Sequence, residues 1–210
     1  MPAPADRSPR DRYVQAMNEV ATAVSVVTTD GPGGTFGQTV SAVVTVTQDP
    51  PTLLACVATR SPLVAAVADN GRFRVNFLAV GHDHVSDTFA GRPWHGKKPY
   101  DFTCGDWEVA APAGPRLRDA LASFACRLDD VREVGTHTLL LGEVADAAHA
   151  RGAEPLLYLK RIYRRVEELP LSVFPDFPDA RPPYDRTRPL HEGPSPHEGP
   201  SPHERSRKAR

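Results

Sequence analysis

The sequence predicts a mainly β fold, a β-barrel with few short helices. Two observations carry this. Most apolar segments alternate with period two, the repeat of a strand with one buried face. The helical segments between them are few and short, whereas a doubly wound parallel sheet needs a helix between most strands.

Taken in order, residues 12–21 have Tyr13, Met17 and Val20 on one side and read as a short amphipathic helix. Residues 23–29 form a β-branched strand, and the Asp-Gly-Pro-Gly-Gly run at residues 30–34 is a hairpin loop. The stretch over residues 37–61, GQTVSAVVTVTQDPPTLLACVATRS, organises the rest. Its first half reads as one strand over residues 39–47, with Val40, Ala42, Val44 and Val46 toward a core. Thr39, Ser41, Thr45 and Thr47 face the other way, joined by Val43. Asp49-Pro50-Pro51 ends that strand, because proline cannot donate to a ladder. A second apolar strand covers residues 52–59. Ser61-Pro62 then starts a helix, serine as N-cap and proline at the first position, which ends near Asn70-Gly71.

Residues 72–80 are a strand with Phe73, Val75 and Phe77 on one face and Asn76 on the other. A short helix over residues 83–90 is closed by Gly91, and residues 91–106 form an excursion rich in Gly, Pro, Trp and Lys. Residues 116–121 suggest a helical turn. Two strands, residues 123–133 and 136–145, meet at Val134-Gly135, and a last strand runs over residues 155–167.

The chain of 210 residues, 40% hydrophobic, is long enough for one domain plus tails. A net charge of −1 argues against a global nucleic-acid or membrane surface. No apolar run is long enough to span a bilayer, and the N-terminus lacks the apolar core of a secretory signal, so the expected location is cytoplasmic. Cys56, Cys104 and Cys126 form no CxxC pair, which disfavours a disulfide scaffold or a structural zinc site. The domain plan is a flexible segment at residues 1–11, a folded domain at residues 12–170 and a Pro-rich disordered tail at residues 171–210. In that tail HEGPSP repeats at residues 191–196 and 197–202, a composition that cannot bury a core. Its His191, His197 and His203 read as linker residues before they read as metal ligands.

Several motifs fail on inspection. The run Gly91 to Lys98 has phosphate-loop spacing, but Lys98 stands where the Mg²⁺-binding hydroxyl belongs. No GxGxxG follows a strand, and no GxSxG elbow occurs. His82-Asp83-His84 has no third spaced ligand and reads as an exposed helix start, so no metal is expected. The hydroxyl-lined strand, tight turn and helix start at Ser61 could cradle a phosphorylated ligand, although a Thr/Ser face is commonly the solvated side of a sheet. His137 shares a face with Leu139, Leu141 and Glu143, the setting of a half-buried structural histidine.

Read together, AVSVVTT, the Gly-rich turn and GQTVSAVVTVTQDPPTLLACV resemble the flavin reductase family of the FMN-binding split barrel. GRFRVNFLAV, DTFAGR, GTHTLLLGEV and EPLLYLKRIY resemble that family's later segments, in the same order, over residues 13–166. One departure is Thr136, where the family often has Asp before the histidine. The resemblance implies a Greek-key split barrel, a homodimer, and NAD(P)H:flavin oxidoreductase activity using NADH or NADPH with FAD or FMN. Reduced flavin would go to a partner flavin-dependent monooxygenase. It implies a flavin site built from Gln38, Thr39, Val40, Ser41, Ala42, Thr45 and Val46. Cys56, Val57 and Ala58 would line the ribityl chain, with Ser61 near the phosphate. Asn76, the segment Phe89, Ala90, Gly91 and Arg92, and Tyr163 would complete the pocket. His137 would contact the nicotinamide nucleotide as the catalytic residue. The alternatives on the same barrel are a non-catalytic flavin- or haem-binding module and an oxidase of the pyridoxamine-phosphate type.

Overall fold

The computed structural model describes residues 8–167. Residues 1–7 and the expected tail with its HEGPSP repeat lie outside the described residues.

The first helix, α1 (Pro9–Asn18), starts earlier than the apolar spacing suggested. Ser8 caps it, accepting the Asp11 N–H at 3.2 Å, with proline at the first turn. Ser8-Pro9 is the same signal as Ser61-Pro62, so residues 9–11 belong to a helix, capped by Ser8, and not to a loose segment. Strands β1 (Thr22–Ala23) and β2 (Ser25–Thr29) follow. The expected single strand over residues 39–47 is two strands, β3 (Phe36–Val40) and β4 (Val43–Gln48), broken at Ser41-Ala42. Next come β5 (Pro51–Ala58), α2 (Pro62–Asn70) and β6 (Arg72–Phe77), with Gly71 closing α2 in the left-handed region at φ 64°. Helix α3 (Asp83–Phe89) leads into the excursion and its 3₁₀ turn, Phe102–Cys104.

Strands β7 (Trp107–Glu108) and β8 (Arg116–Leu117) pair with each other, so the predicted helical turn at residue 116 is a strand. The long hairpin β9 (Ala122–Val134) and β10 (His137–His149) turns at Gly135-Thr136. The expected last strand is a hairpin, β11 (Leu157–Leu159) and β12 (Ile162–Arg164), turning at Lys160-Arg161 with both φ positive.

Seven strands form one sheet in the order β3-β2-β6-β9-β10-β5-β4, every neighbouring pair antiparallel. The two end strands, β3 and β4, are joined by only Ser41-Ala42. A few residues span roughly 3.5 Å each, so the ends of the sheet must lie side by side and the sheet must curl into a barrel. At the seam the Cys56 N–H donates to the Ala42 carbonyl at 2.9 Å. The break reorients the side chains beyond it. Val43 packs on the core, while Val44 and Val46 are 56% and 53% exposed and not the core face expected of them.

Inside the barrel Val27, Leu53, Val57, Phe73, Val75 and Leu140 pack with Leu63 and Val67 of α2. A second core lies under α3, where Phe89 meets Phe102 at 4.9 Å and Trp107 at 5.4 Å between ring centres. Phe89 also explains Gly37: a Cβ there would sit 2.6 Å from its ring. Among the described residues no helix is long and apolar enough to cross a membrane.

Candidate functional site

Strand β3 is paired on one side only, to β2. Its other edge offers alternate backbone N–H and C=O groups that no ladder satisfies. Side chains on β3 tie both flanking helices to this edge. Gln38 Nε2 donates to the Phe89 carbonyl at 3.1 Å, and its Oε1 accepts from Ser61 Oγ at 3.1 Å. Thr39 Oγ1 donates to the Ser86 carbonyl at 2.7 Å. The N-terminus of α2 and the end of α3 are thereby fixed against one strand.

A cleft of about 120 Å³ opens here, lined by Thr39, Val40, Ser41, Ser86, Arg92, Tyr158, Tyr163 and Val24. Asp87 organises its far wall. It accepts from the Tyr163 hydroxyl at 2.7 Å and from Trp94 Nε1 at 3.3 Å, and lies 3.7 Å from the Arg92 guanidinium. Its backbone carbonyl accepts the Arg92 N–H at 2.8 Å. Burial, with the Asp87 carboxylate beside it, pushes the Tyr163 phenol up to about 12, so at neutral pH it is a proton-bearing donor. Along the same strand a neighbouring cleft is lined by Phe36, Gly37, Gln38, Ser61, Pro62 and Tyr100. Gly91, at φ 77°, leaves the room that the Tyr100 hydroxyl occupies.

The predicted residues do not all converge within one chain. Thr39, Val40, Ser41, Arg92 and Tyr163 share the first cleft, and Gln38 and Ser61 the second. Ala90 and Gly91 lie in the turn between α3 and Arg92, whose backbone is held by Ser86, Asp87 and Thr88. Ala42 and Cys56 meet at the seam through their backbones. Thr45 and Val46 line a different groove, with Leu53, Phe124 and Val144.

His137 opens β10 opposite Ala58, in a fourth groove with Thr59, Arg60 and Glu133. Its Nδ1 is 2.9 Å from Thr136 Oγ1. The hydroxyl therefore does part of what a carboxylate at that position would do, orienting the ring, without adding a charge.

Burial narrows three expectations. Asn76 is fully buried and spent on structure: its amide donates to the Val26 and Pro115 carbonyls and to Thr28 Oγ1, and its carbonyl accepts from Leu117 N–H and Ser123 Oγ. It has no reach into a pocket. Val57 and Phe89 put their side chains wholly into the cores, leaving only backbone for a ligand. His82 is not part of an exposed pair: it is buried, accepting the Ala79 N–H at 3.2 Å and facing Asp119 at 3.1 Å. Among the described residues no group of three His, Cys, Asp or Glu side chains could hold a metal ion. Ser61 does cap α2, and its hydroxyl is taken by Gln38 and by the Leu63 N–H.

Sequence reasoning passed over Ser86, Asp87, Tyr100 and Tyr158, which build these walls. Tyr158 stands five residues before Tyr163, and cross-strand pairing at the β11–β12 turn places the two rings 5.3 Å apart. The arrangement suits a planar, polar-edged ring against the free edge of β3, with an anionic arm near Arg92.

Known proteins are similar to this chain in sequence and fold. The profile of the flavin reductase like domain matches residues 17–167. An FMN reductase (NADH) RutF from Ancylobacter novellus is 43% identical over 161 residues, covering 77% of this chain and 87% of that protein. The NADH:FAD oxidoreductase SgcE6 of Streptomyces globisporus C-1027 superposes with a TM-score of 0.68 at 28% identity, over 79% of this chain and 100% of that one. The styrene monooxygenase flavin reductase of Pseudomonas putida S12 gives 0.64 at 25% identity, over 76% and 99%.

Proposed function

Because the chain belongs to the flavin reductase like domain family, we propose that it transfers hydride from NADH to a flavin, FMN first among the candidates. The observation that carries this reading is the cleft on the free edge of β3, with Arg92, Tyr158 and Tyr163 on its opposite wall. Flavin supplies the redox chemistry when bound, accepting hydride from a stacked nicotinamide.

The protein's part is to bind, orient and exclude water. Unpaired N–H groups of β3 offer hydrogen bonds to the ring carbonyls, where negative charge grows on reduction. Arg92, held by Asp87, offers a cation to the phosphate. Tyr163, protonated at neutral pH, closes the polar rim. His137, oriented by Thr136, contacts the nicotinamide nucleotide by hydrogen bonding and moves no proton.

The working unit in this reading is a cytosolic homodimer with flavin close to the interface. Its support is β4, a sheet-end strand whose Val44 and Val46 face solvent in the single chain. The reduced product would serve a flavin-dependent monooxygenase, as the styrene monooxygenase flavin reductase does by its name. Steady-state kinetics with NADH or NADPH against FMN or FAD tests the reading. Saturable consumption of reduced nicotinamide that requires added flavin supports it; no consumption with any of the pairs rules it out.

A further inference from the structure

The far wall of the β3 cleft holds a charge that anion binding does not call for. Asp87 stands behind Arg92 and Tyr163, its side chain 25% exposed. Its Oδ1 accepts from the Tyr163 hydroxyl at 2.7 Å and lies 3.7 Å from the Arg92 guanidinium. Its Oδ2 accepts from Trp94 Nε1 at 3.3 Å. Asparagine would keep the Tyr163 bond, the shortest of these, on its carbonyl oxygen. A carboxylate in the wall of a cleft for an anionic ligand weakens the hold on that ligand.

Tyr163 carries the charge to the cleft. Its phenol lines the cleft, and its shorter contact is with Asp87, at 2.7 Å against 2.9 Å to Ser86 Oγ. A hydroxyl hydrogen drawn toward a carboxylate leaves its oxygen richer in electrons. Arg92 opposes this from the same wall, so the two charges of the pair act on the cleft with opposite sign.

Hydride brings two electrons and one proton, so the flavin ring gains one unit of negative charge on reduction. Its phosphate keeps its charge through that step. We propose that Asp87 makes the cleft release flavin once it is reduced. The carboxylate behind Tyr163 weakens the hold on the reduced ring more than the hold on the oxidised one. The N–H groups of β3 favour the same charge at the ring carbonyls, and Asp87 offsets part of that gain. The inference rests on the reading that flavin is reduced in this cleft. It gives a reductase whose product must leave a site that holds substrate better than product.

The test compares the dissociation constants of oxidised FMN and dithionite-reduced FMN, by anaerobic titration of the full chain at mildly alkaline pH. Phosphate contacts enter both constants and cancel in their ratio. In Asp87→Asn the proposal expects reduced FMN to tighten about tenfold relative to oxidised FMN. In Arg92→Gln, at an exposed side chain, it expects the opposite shift, with reduced FMN weakened relative to oxidised FMN. Trp94→Phe removes one hydrogen bond of Asp87 without a change of charge and is expected to leave the ratio as it is. Should Asp87→Asn fail to fold, Arg92→Gln decides alone. Equal changes in both constants in either charge variant would mean that Asp87 only orients its neighbours, and would overturn the proposal. A native protein that binds FMN yet consumes no NADH contradicts the hydride-transfer reading instead, and the ratio still decides Asp87. A native protein that binds FMN in neither state overturns both.

Discussion

At the residue scale, two polar side chains separate by what they touch. Asn76 has its donors and its acceptor satisfied inside the protein. Asn76→Ala strands several buried partners, and the expected loss is about 3 kcal/mol of stability with flavin affinity unchanged per folded molecule. Urea unfolding and a flavin titration check both halves; a collapse of flavin affinity at normal stability would return Asn76 to the pocket. His137 is exposed, with one neighbour to orient it. His137→Ala is expected to raise KM for NADH and lower turnover by about tenfold, near 1.4 kcal/mol, while flavin binding holds. Lost flavin binding at an unchanged KM for NADH would move His137 to the flavin site. The sequence was informative about both side chains in different ways. Period two placed Asn76 opposite Phe73 and Val75, but a strand covered on both faces buries either side, so alternation alone could not tell pocket from core.

At the element scale, the clearest departure is the break at Ser41-Ala42. Alternation in TVSAVVTVT is broken only by Val43, the residue that opens β4, and one apolar residue on the hydroxyl face does not by itself mark where the chain passes from one end of the sheet to the other. That crossing is set by barrel closure, a long-range condition. The β11–β12 turn escaped for a local reason: Lys160-Arg161 carries none of the Gly or Asn that flags a tight hairpin. Signals with a local mechanism fared better, as the Ser61 cap, the Gly71 stop and the turn at Gly135 all stand where the residues placed them. The close packing of α3 on β3 makes its own prediction. In Gly37→Ala the new methyl meets Phe89 at ring carbons 2.6 and 2.8 Å away. Overpacking of this kind costs about 1–3 kcal/mol, and the displaced α3 should weaken flavin binding as well. Thermal melting and a flavin titration read the two effects, and an unchanged melting temperature would show that α3 yields freely.

At the scale of the whole molecule, two acidic side chains, the buried Cys126 and the half-buried Tyr163, lower stability at alkaline pH. Burial pushes the Cys126 thiol from 9.0 up to about 12, against the pull of Arg74, and burial pushes the Tyr163 phenol from 10.0 up to about 12. Both are held in the protonated form when folded. Their contribution is fully present below the unfolded values and is lost as pH rises toward about 12. Urea midpoints should therefore fall progressively above about pH 9, and Tyr163→Phe should flatten the upper part of that decline. A midpoint that stays level through this range would contradict the raised values of these two groups.

The central claim is hydride transfer to flavin in the cleft on β3, and an anaerobic single-turnover experiment tests it most directly. Protein and FMN are mixed with NADH carrying deuterium on one or the other face of the transferred position. The account predicts that flavin colour bleaches only with protein present, and that bleaching slows for deuterium on one face alone, because the cleft holds the donor in one orientation. Bleaching no faster than without protein, or equal slowing for both faces, would contradict it.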